Sequence, residues 1–383
     1  MEFDFDEIID RRGTGSEKWQ PFEDGEVLPM PVADMDFRSP PALVQALRER
    51  VDHGVFGYAQ PTRRLTETIV QMCAERYAWD IKPEWIVWLP GLVSGLNVTC
   101  RAIGEPGDAV LTMTPVYPPF LTSPGNMGRD LQTVPMLEKG EDWEIDWEGL
   151  ERAVRPHTRL FLLCQPHNPV GKVFSPEEIR RLAEFCERHD LILCSDEIHC
   201  DLILDDRQHQ PSVAADERLQ ERTITLMAPS KTYNIAGLGC ALAIIPNRAC
   251  RLQFEKAKLG IVPQVTVFGY HACEAAYRWG EPWRKELLRY LSGNLQFLQD
   301  YVKREIPSLR TYRQEATYLS WMDARELGLR DPAAFFQENG VSLSNGAFFH
   351  GPGFVRLNFG CPRKVLEEGL DRMKRGLGKV RIK

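Results

Sequence analysis

From residue 86 onward the chain alternates short, unbroken apolar runs with longer amphipathic stretches. The runs at 86–88, 109–113, 160–164, 191–195, 223–227 and 241–245 lack polar alternation, which predicts strands covered on both faces. Between two of them, 175–189 opens as Ser-Pro-Glu-Glu: a capping serine, a proline in the first turn and acids at the positive end of a helix. Buried strands alternating with helices imply an α/β chain with a mostly parallel sheet. Beyond residue 282 the pattern changes. The stretch 282–304 predicts one long helix, ATYLSWM, VSLS and FVRLNF predict strands, and a last helix is expected from about residue 363, an α+β arrangement. The expected division is an N-terminal segment over 1–45 packing on a small domain, a large domain over 46–285, and the small C-terminal domain over 286–383.

Composition narrows the function classes. The 383 residues are 43% hydrophobic and 26% charged, ordinary values for a folded chain of about two domains. Lys and Arg number 47 against 54 Asp and Glu, a net charge of −7, so no nucleic-acid partner is expected. No uncharged apolar run of about 18 residues is present, so no membrane span is expected. The opening MEFDFDEIIDRR is acidic and does not read as a secretory leader. Ten cysteines fall in no CxxC pair, and most sit in apolar context such as LFLLC and LILC. They are expected as buried core residues of a cytoplasmic protein, with no metal site.

Four segments carry candidate chemistry, and each follows or ends a predicted strand. In APSKTYNIAGLG, Lys231 stands just past an apolar run. Burial lowers a lysine pKa and frees the amine for Schiff-base formation or proton transfer. Asp196 ends another run in LILCSDEIHCD. In a doubly wound sheet both residues reach the crevice at the carboxyl ends of the strands. A carboxylate there suits the protonated ring nitrogen of pyridoxal 5'-phosphate (PLP). Asn168, in QPHNPVGKVFSPEE, is a donor for the phenolate oxygen of the same ring, and LPGLVSGLNV offers backbone N–H groups at a helix start to a phosphate. Singly, these are an ordinary loop lysine, an acidic turn and two strand-to-helix turns.

The order of these motifs resembles the fold-type-I PLP enzymes, the superfamily of the class I/II aminotransferases. The phrases PVADMDF, GYAQP, TPVYPPF, HNPVGKVFSPEE, SDEIHCDL, APSKTYNIAGLG, EATYLSW and FVRLNFGCPR narrow the resemblance to the cystathionine β-lyase and cysteine-S-conjugate β-lyase subgroup. The resemblance spans essentially the whole chain. It implies a PLP-transferase fold with a mostly parallel seven-stranded sheet between helices and a smaller α+β domain. It implies that Lys231 forms the Schiff base and carries the Cα proton, that Asp196 pairs with the ring nitrogen, and that Asn168 bonds the phenolate oxygen and lies near substrate. Tyr117 would stack on the ring. His199 stands where aminotransferases carry a tyrosine. Gly91, Leu92, Val93 and Ser230 would bind phosphate, with Tyr58 reaching the partner's site across a homodimer interface. Arg356 would grip the substrate carboxylate, beside the backbone of Val32 and Ala33.

Three positions depart from the pattern. Gly239 replaces a phosphate-binding arginine common in aminotransferases, Ala228 replaces a serine, and Pro31 replaces a tryptophan usual in the lyase subgroup. The expected activity is cleavage of L-cystathionine or a related cysteine S-conjugate to a thiol, pyruvate and ammonia. An aminotransferase acting on an amino acid and a 2-keto acid is the alternative. A non-catalytic module of a regulator is a third reading, opposed by the presence of both Lys231 and Asp196. Nothing in the sequence marks a pocket for the far end of the substrate.

Overall fold

A computed structural model describes residues 3–379. Each apolar run forms a strand of one seven-stranded sheet: β1 (Ile86–Leu89), β2 (Ala109–Thr114), β3 (Asp130–Pro135), β4 (Thr158–Cys164), β5 (Ile192–Asp196), β6 (Thr223–Met227) and β7 (Ala241–Ile244). The spatial order is β1-β7-β6-β5-β4-β2-β3. Only β7 runs against its neighbours. β3 had no counterpart among the apolar runs because it lies at the sheet edge and is half-exposed, with Asp, Gln and Thr among its residues. The interior strands are buried on both faces, as their unbroken hydrophobicity requires.

The helices include α1 (Pro41–His53), α2 (Leu92–Ala102), α3 (Pro118–Asn126), α4 (Pro176–Arg188), α5 (Glu281–Glu305) and α6 (Arg363–Leu377); α2 and α3 pack on the sheet, and α5 and α6 pack on each other. Ser175 caps α4 in a reciprocal box: its hydroxyl accepts from the Glu178 N–H at 3.2 Å, and its own N–H donates to the Glu178 carboxylate at 2.8 Å. α5 buries Trp283, Leu287, Leu291, Leu298 and Val302, a stripe at helical spacing, and runs unbroken through residue 285. No helix among the described residues is long and apolar enough to cross a membrane.

A four-stranded antiparallel sheet follows: β8 (Arg310–Thr311), β9 (Leu319–Asp323), β10 (Ser344–Asn345) and β11 (Phe354–Asn358), in the order β8-β9-β11-β10. The VSLS segment divides between two partners. Val341 and Ser342 pair with Leu28 and Pro29, whereas Ser344 pairs with Arg356 of β11.

The irregular stretch 30–39 then crosses from this smaller sheet to the loop after β6. Asn358 Nδ2 donates to the carbonyls of Val32 and Asp34, both at 2.6 Å. From the other side, Asn234 bonds the Met35 N–H and the carbonyls of Met35 and Phe37 at 2.8–2.9 Å. Asn234 does so from a left-handed conformation, φ +55°, that asparagine tolerates. Asp36 anchors the stretch. Its carboxylate takes the Lys18 ammonium at 2.6 Å, Arg11 at 2.7 Å and the Trp19 indole N–H at 3.0 Å, and Lys18 is only 1% exposed.

These cations hold the Asp36 carboxyl below the ordinary carboxylate range against the penalty of burial. Its stabilising contribution is therefore full above pH about 4 and is lost as the pH falls below that. Asp36→Asn leaves Lys18 charged and uncompensated, and the expected cost is about 3–5 kcal/mol. Urea denaturation followed by tryptophan fluorescence reads that loss, and the variant also shows a shallower fall in stability between pH 5 and 3.

Candidate active site

Strands β1, β2, β4, β5 and β6 point the same way, so their carboxyl ends meet at one edge of the sheet. Gly91 follows β1, Tyr117 follows β2, Asn168 follows β4, Asp196 ends β5 and Lys231 follows β6. All five line one cavity of about 300 Å³. Leu92, Val93, His199, Ser230 and Ala33 line it too.

Lys231 Nζ donates to the Ala33 carbonyl at 2.7 Å. Burial lowers its pKa to about 8, opposed by Asp34 and Asp196 and reinforced by Arg356. A small neutral fraction at neutral pH, rising to about half near pH 8, follows. Asp196 is 3% exposed, and its carboxylate accepts one hydrogen bond, from the Ile198 N–H at 3.1 Å. Desolvation pushes its pKa up to about 7, so the site favours a cation beside it.

Arg356 on β11 is 4% exposed and forms no ion pair among the described residues. One terminal nitrogen donates to Asn168 Oδ1 at 3.0 Å, and the other to the Pro31 carbonyl at 2.9 Å and to Ser344 Oγ at 3.3 Å. Its Nε–H has no partner, and its guanidinium lies over the Phe349 ring, 4.7 Å from the centroid. Burial brings its pKa down to about 10. A buried guanidinium without an anion is costly, and a bound carboxylate relieves that cost.

His199 is buried with an unpartnered Nδ1, and desolvation, followed by Lys231 and Arg356, lowers its pKa to about 3. It is therefore neutral. Tyr117, at the start of α3, has its pKa raised by burial and then by Asp196. Gly91 caps α2 in an extended conformation without a side-chain bond, which leaves the N–H groups of the first turn uncapped. A Cβ built on Gly91 meets nothing within 4 Å. Gly239, the departure from arginine, has φ +59°, and a Cβ there would press on the Pro90 carbonyl at 3.2 Å, so this backbone selects glycine.

Tyr58 is fully exposed, 104% of its reference area, and does not line the cavity within its own chain. Val32 lines an adjoining, larger cavity, and its carbonyl is taken by Asn358. Sequence reasoning missed Ser94, in the first turn of α2, and Tyr318, whose hydroxyl donates to the Ala33 carbonyl at 3.0 Å. Both lie inside phrases that carried the resemblance, LPGLVSGLNV and EATYLSW. Tyr318 follows Thr317, a β-branched residue at φ +70°, an uncommon strain of the kind that clusters at functional sites.

Known proteins resemble this chain along its whole length. The model of the aminotransferase class I and II family matches residues 26–373. The cystathionine beta-lyase PatB of Bacillus subtilis (strain 168) is 38% identical over 97% of this chain and 99% of its own length. The crystal structure of OvoB superposes with a TM-score of 0.96 at 43% identity, covering 99% of this chain and all of that one. Cystalysin from Treponema denticola, whose structure contains a pyridoxal 5'-phosphate cofactor, gives 0.95 at 35% identity, with 99% of each chain covered.

The residues fit that cofactor. Its aldehyde calls for an amine with a neutral fraction, its ring nitrogen for a desolvated carboxylate, and its phosphate for free N–H groups with space before them. Lys231, Asp196 and the uncapped start of α2 answer these needs in one cavity. In cofactor-free protein, amine labelling of Lys231 followed by peptide mass spectrometry should give a midpoint near pH 8, well below the ordinary 10.5. Arg356→Met removes a repelling cation and raises the midpoint, whereas Asp196→Asn removes an attracting anion and lowers it. A midpoint at the ordinary value would contradict the assigned environment.

Proposed function

The chain belongs to the aminotransferase class I and II family, and we propose that it works there as a PLP-dependent carbon–sulfur β-lyase, with Lys231 moving the proton and Arg356 holding the substrate. The cofactor is pyridoxal 5'-phosphate, and the β-lyase activity rests on full-length likeness to proteins named cystathionine beta-lyase. The observation that carries the residue roles is the buried, anion-free guanidinium of Arg356, bonded to Asn168 on the wall of the cavity that also holds Lys231.

Arg356 binds the α-carboxylate of an L-amino acid, its planar fork already fixed by Asn168, Pro31 and Ser344. That contact orients Cα toward Lys231. The cofactor, when bound, supplies an aldehyde that takes up the amino group and a protonated ring that accepts the electron pair released at Cα. Asp196 holds the proton on the ring nitrogen, a pairing that also relieves the cost of its own burial. Lys231, neutral in part because it is desolvated, removes the Cα proton and then delivers a proton to the departing sulfur. Phosphate is held by the N–H groups of Leu92 and Val93 at the start of α2, with Gly91 leaving room and Ser230 alongside. Tyr117 would hold the ring from the wall of the cavity, with neutral His199 lining the same space. One water is consumed, and a thiol, pyruvate and ammonia leave. With L-cystathionine the thiol is homocysteine.

The reading includes a homodimer and a cytoplasmic setting. Val51, Val55, Phe56 and Tyr58 are all more than half exposed along α1 and the segment after it, an apolar surface suited to a second copy. Ten free, buried cysteines accord with a reducing compartment.

Purified, PLP-loaded protein is expected to release pyruvate and thiol from L-cystathionine without any keto acid. Lys231→Ala abolishes this release. Arg356→Met lowers kcat/KM by about 100-fold or more, the consequence of removing one partner of a buried charge pair. Turnover that requires a keto acid would instead mean transamination. A separate test mixes Lys231→Ala and Tyr58→Ala subunits. If Tyr58 serves the partner's site, hybrids contain one intact site and regain activity that neither parent has, whereas parental activity in the mixture removes Tyr58 from that role.

A further inference from the structure

The cavity that holds Lys231 adjoins a second one of about 1050 Å³, and Ala33, Lys231 and Ala236 line both. Lys231, beside which a substrate would react, therefore borders this larger space, which would lie open to a sulfur-linked group directed past it. Most charges around the space are already paired. Arg11 is held by Asp34 and Asp36, and Arg38 by Glu7. Glu17 is different. It lines the space, is exposed, and makes no hydrogen bond or ion pair among the described residues, whereas Asp4, the other exposed carboxylate there without an ion pair, accepts the Asp6 N–H at 2.9 Å.

Its position is nevertheless fixed. The N–H groups of Trp19 and Gln20 close a turn on the Ser16 carbonyl at 3.1 and 2.7 Å. The next two residues, Lys18 and Trp19, are pinned to Asp36 at 2.6 and 3.0 Å. The backbone at Glu17 is thus held by these bonds on its C-terminal side, the Lys18–Asp36 pair among them buried, while the carboxylate is unpaired beside the cavity. Its negative field reaches the reacting groups, raising the pKa of both Lys231 and Tyr117.

We propose that Glu17 is a specificity-determining residue whose carboxylate receives a positively charged group at the far end of the substrate's leaving thiol. This inference rests on the β-lyase reading and deepens it, since the substrate class becomes cysteine S-conjugates with a distal cation such as an ammonium. Arg48, exposed on α1, also lines the space without an ion pair among the described residues, so the probes below carry no second carboxylate to engage it.

The test uses two isosteric substrates, S-(2-aminoethyl)-L-cysteine and S-propyl-L-cysteine, with the PLP-loaded full chain. The unaltered protein should prefer the aminoethyl conjugate. Glu17→Gln should lower the ratio of the two kcat/KM values by about three- to five-fold, the range of a partly solvated ion pair, through KM rather than kcat. Glu17→Lys should invert the preference, and raised salt should narrow it. L-Lysine and L-norleucine, which have no β-leaving group, give a second readout. By calorimetry Glu17→Gln should weaken L-lysine and L-norleucine in unequal measure, with the loss on lysine. An unchanged kcat/KM ratio in Glu17→Gln, or equal loss on both probes of a pair, overturns the assignment. If neither conjugate yields pyruvate while lysine binding still depends on Glu17, the β-lyase reading fails and the role of Glu17 stands.

Discussion

The irregular stretch 30–39 has peptide groups that must be satisfied without a long strand ladder, and this requirement ties the molecule together. Carbonyls of Pro31, Val32, Ala33, Asp34, Met35 and Phe37 are taken by side chains from two directions. Lys231 and Asn234 come from the loop after β6, and Arg356 and Asn358 come from β11. The same bonds that satisfy the backbone therefore bring the amine and the guanidinium to one place. Asp36 keeps the stretch there by gathering Lys18, Arg11 and Trp19 on one carboxylate.

Desolvation supplies the chemistry. The sheet edge and this strap together bury Asp196, His199 and Arg356 and leave Lys231 half-buried, and burial is the largest influence on the pKa of each. The direction depends on the group. The lysine and histidine move toward neutrality, the carboxyl moves toward neutral pH, and the arginine stays charged without an anion. Each displaced group has a complementary need that a bound cofactor and substrate meet, so binding energy comes from relieving costs already present in the fold. The uncapped start of α2 leaves N–H groups free in the same cavity.

The departures from the family pattern have different physical origins. Gly239 is required by a left-handed backbone beside the Pro90 carbonyl, so its lack of an arginine side chain is a property of the local turn. Pro31 spends its carbonyl on Arg356 and Ser344, so its backbone helps to hold the guanidinium whatever its ring does.

Much of this was written locally in the sequence. Unbroken apolar runs determined the interior strands, because a strand covered on both faces has no polar side to show. The Ser-Pro-Glu-Glu opening of α4 and the long stripe of α5 are likewise short-range signals, and Lys231, Asp196 and Asn168 were legible because each stands at a strand end. The edge strand β3 was not, since its half-exposed face removes the pattern. Only the tertiary structure decided that Arg356 is buried without an anion, that Tyr318 meets Ala33, and that Glu17 stands beside the larger cavity. Those facts depend on which distant segments share a surface, and neither the period of a strand nor the composition of a motif encodes that. The sequence determined which chemistry was available, and the fold, by removing water and closing the strap, determined where it acts.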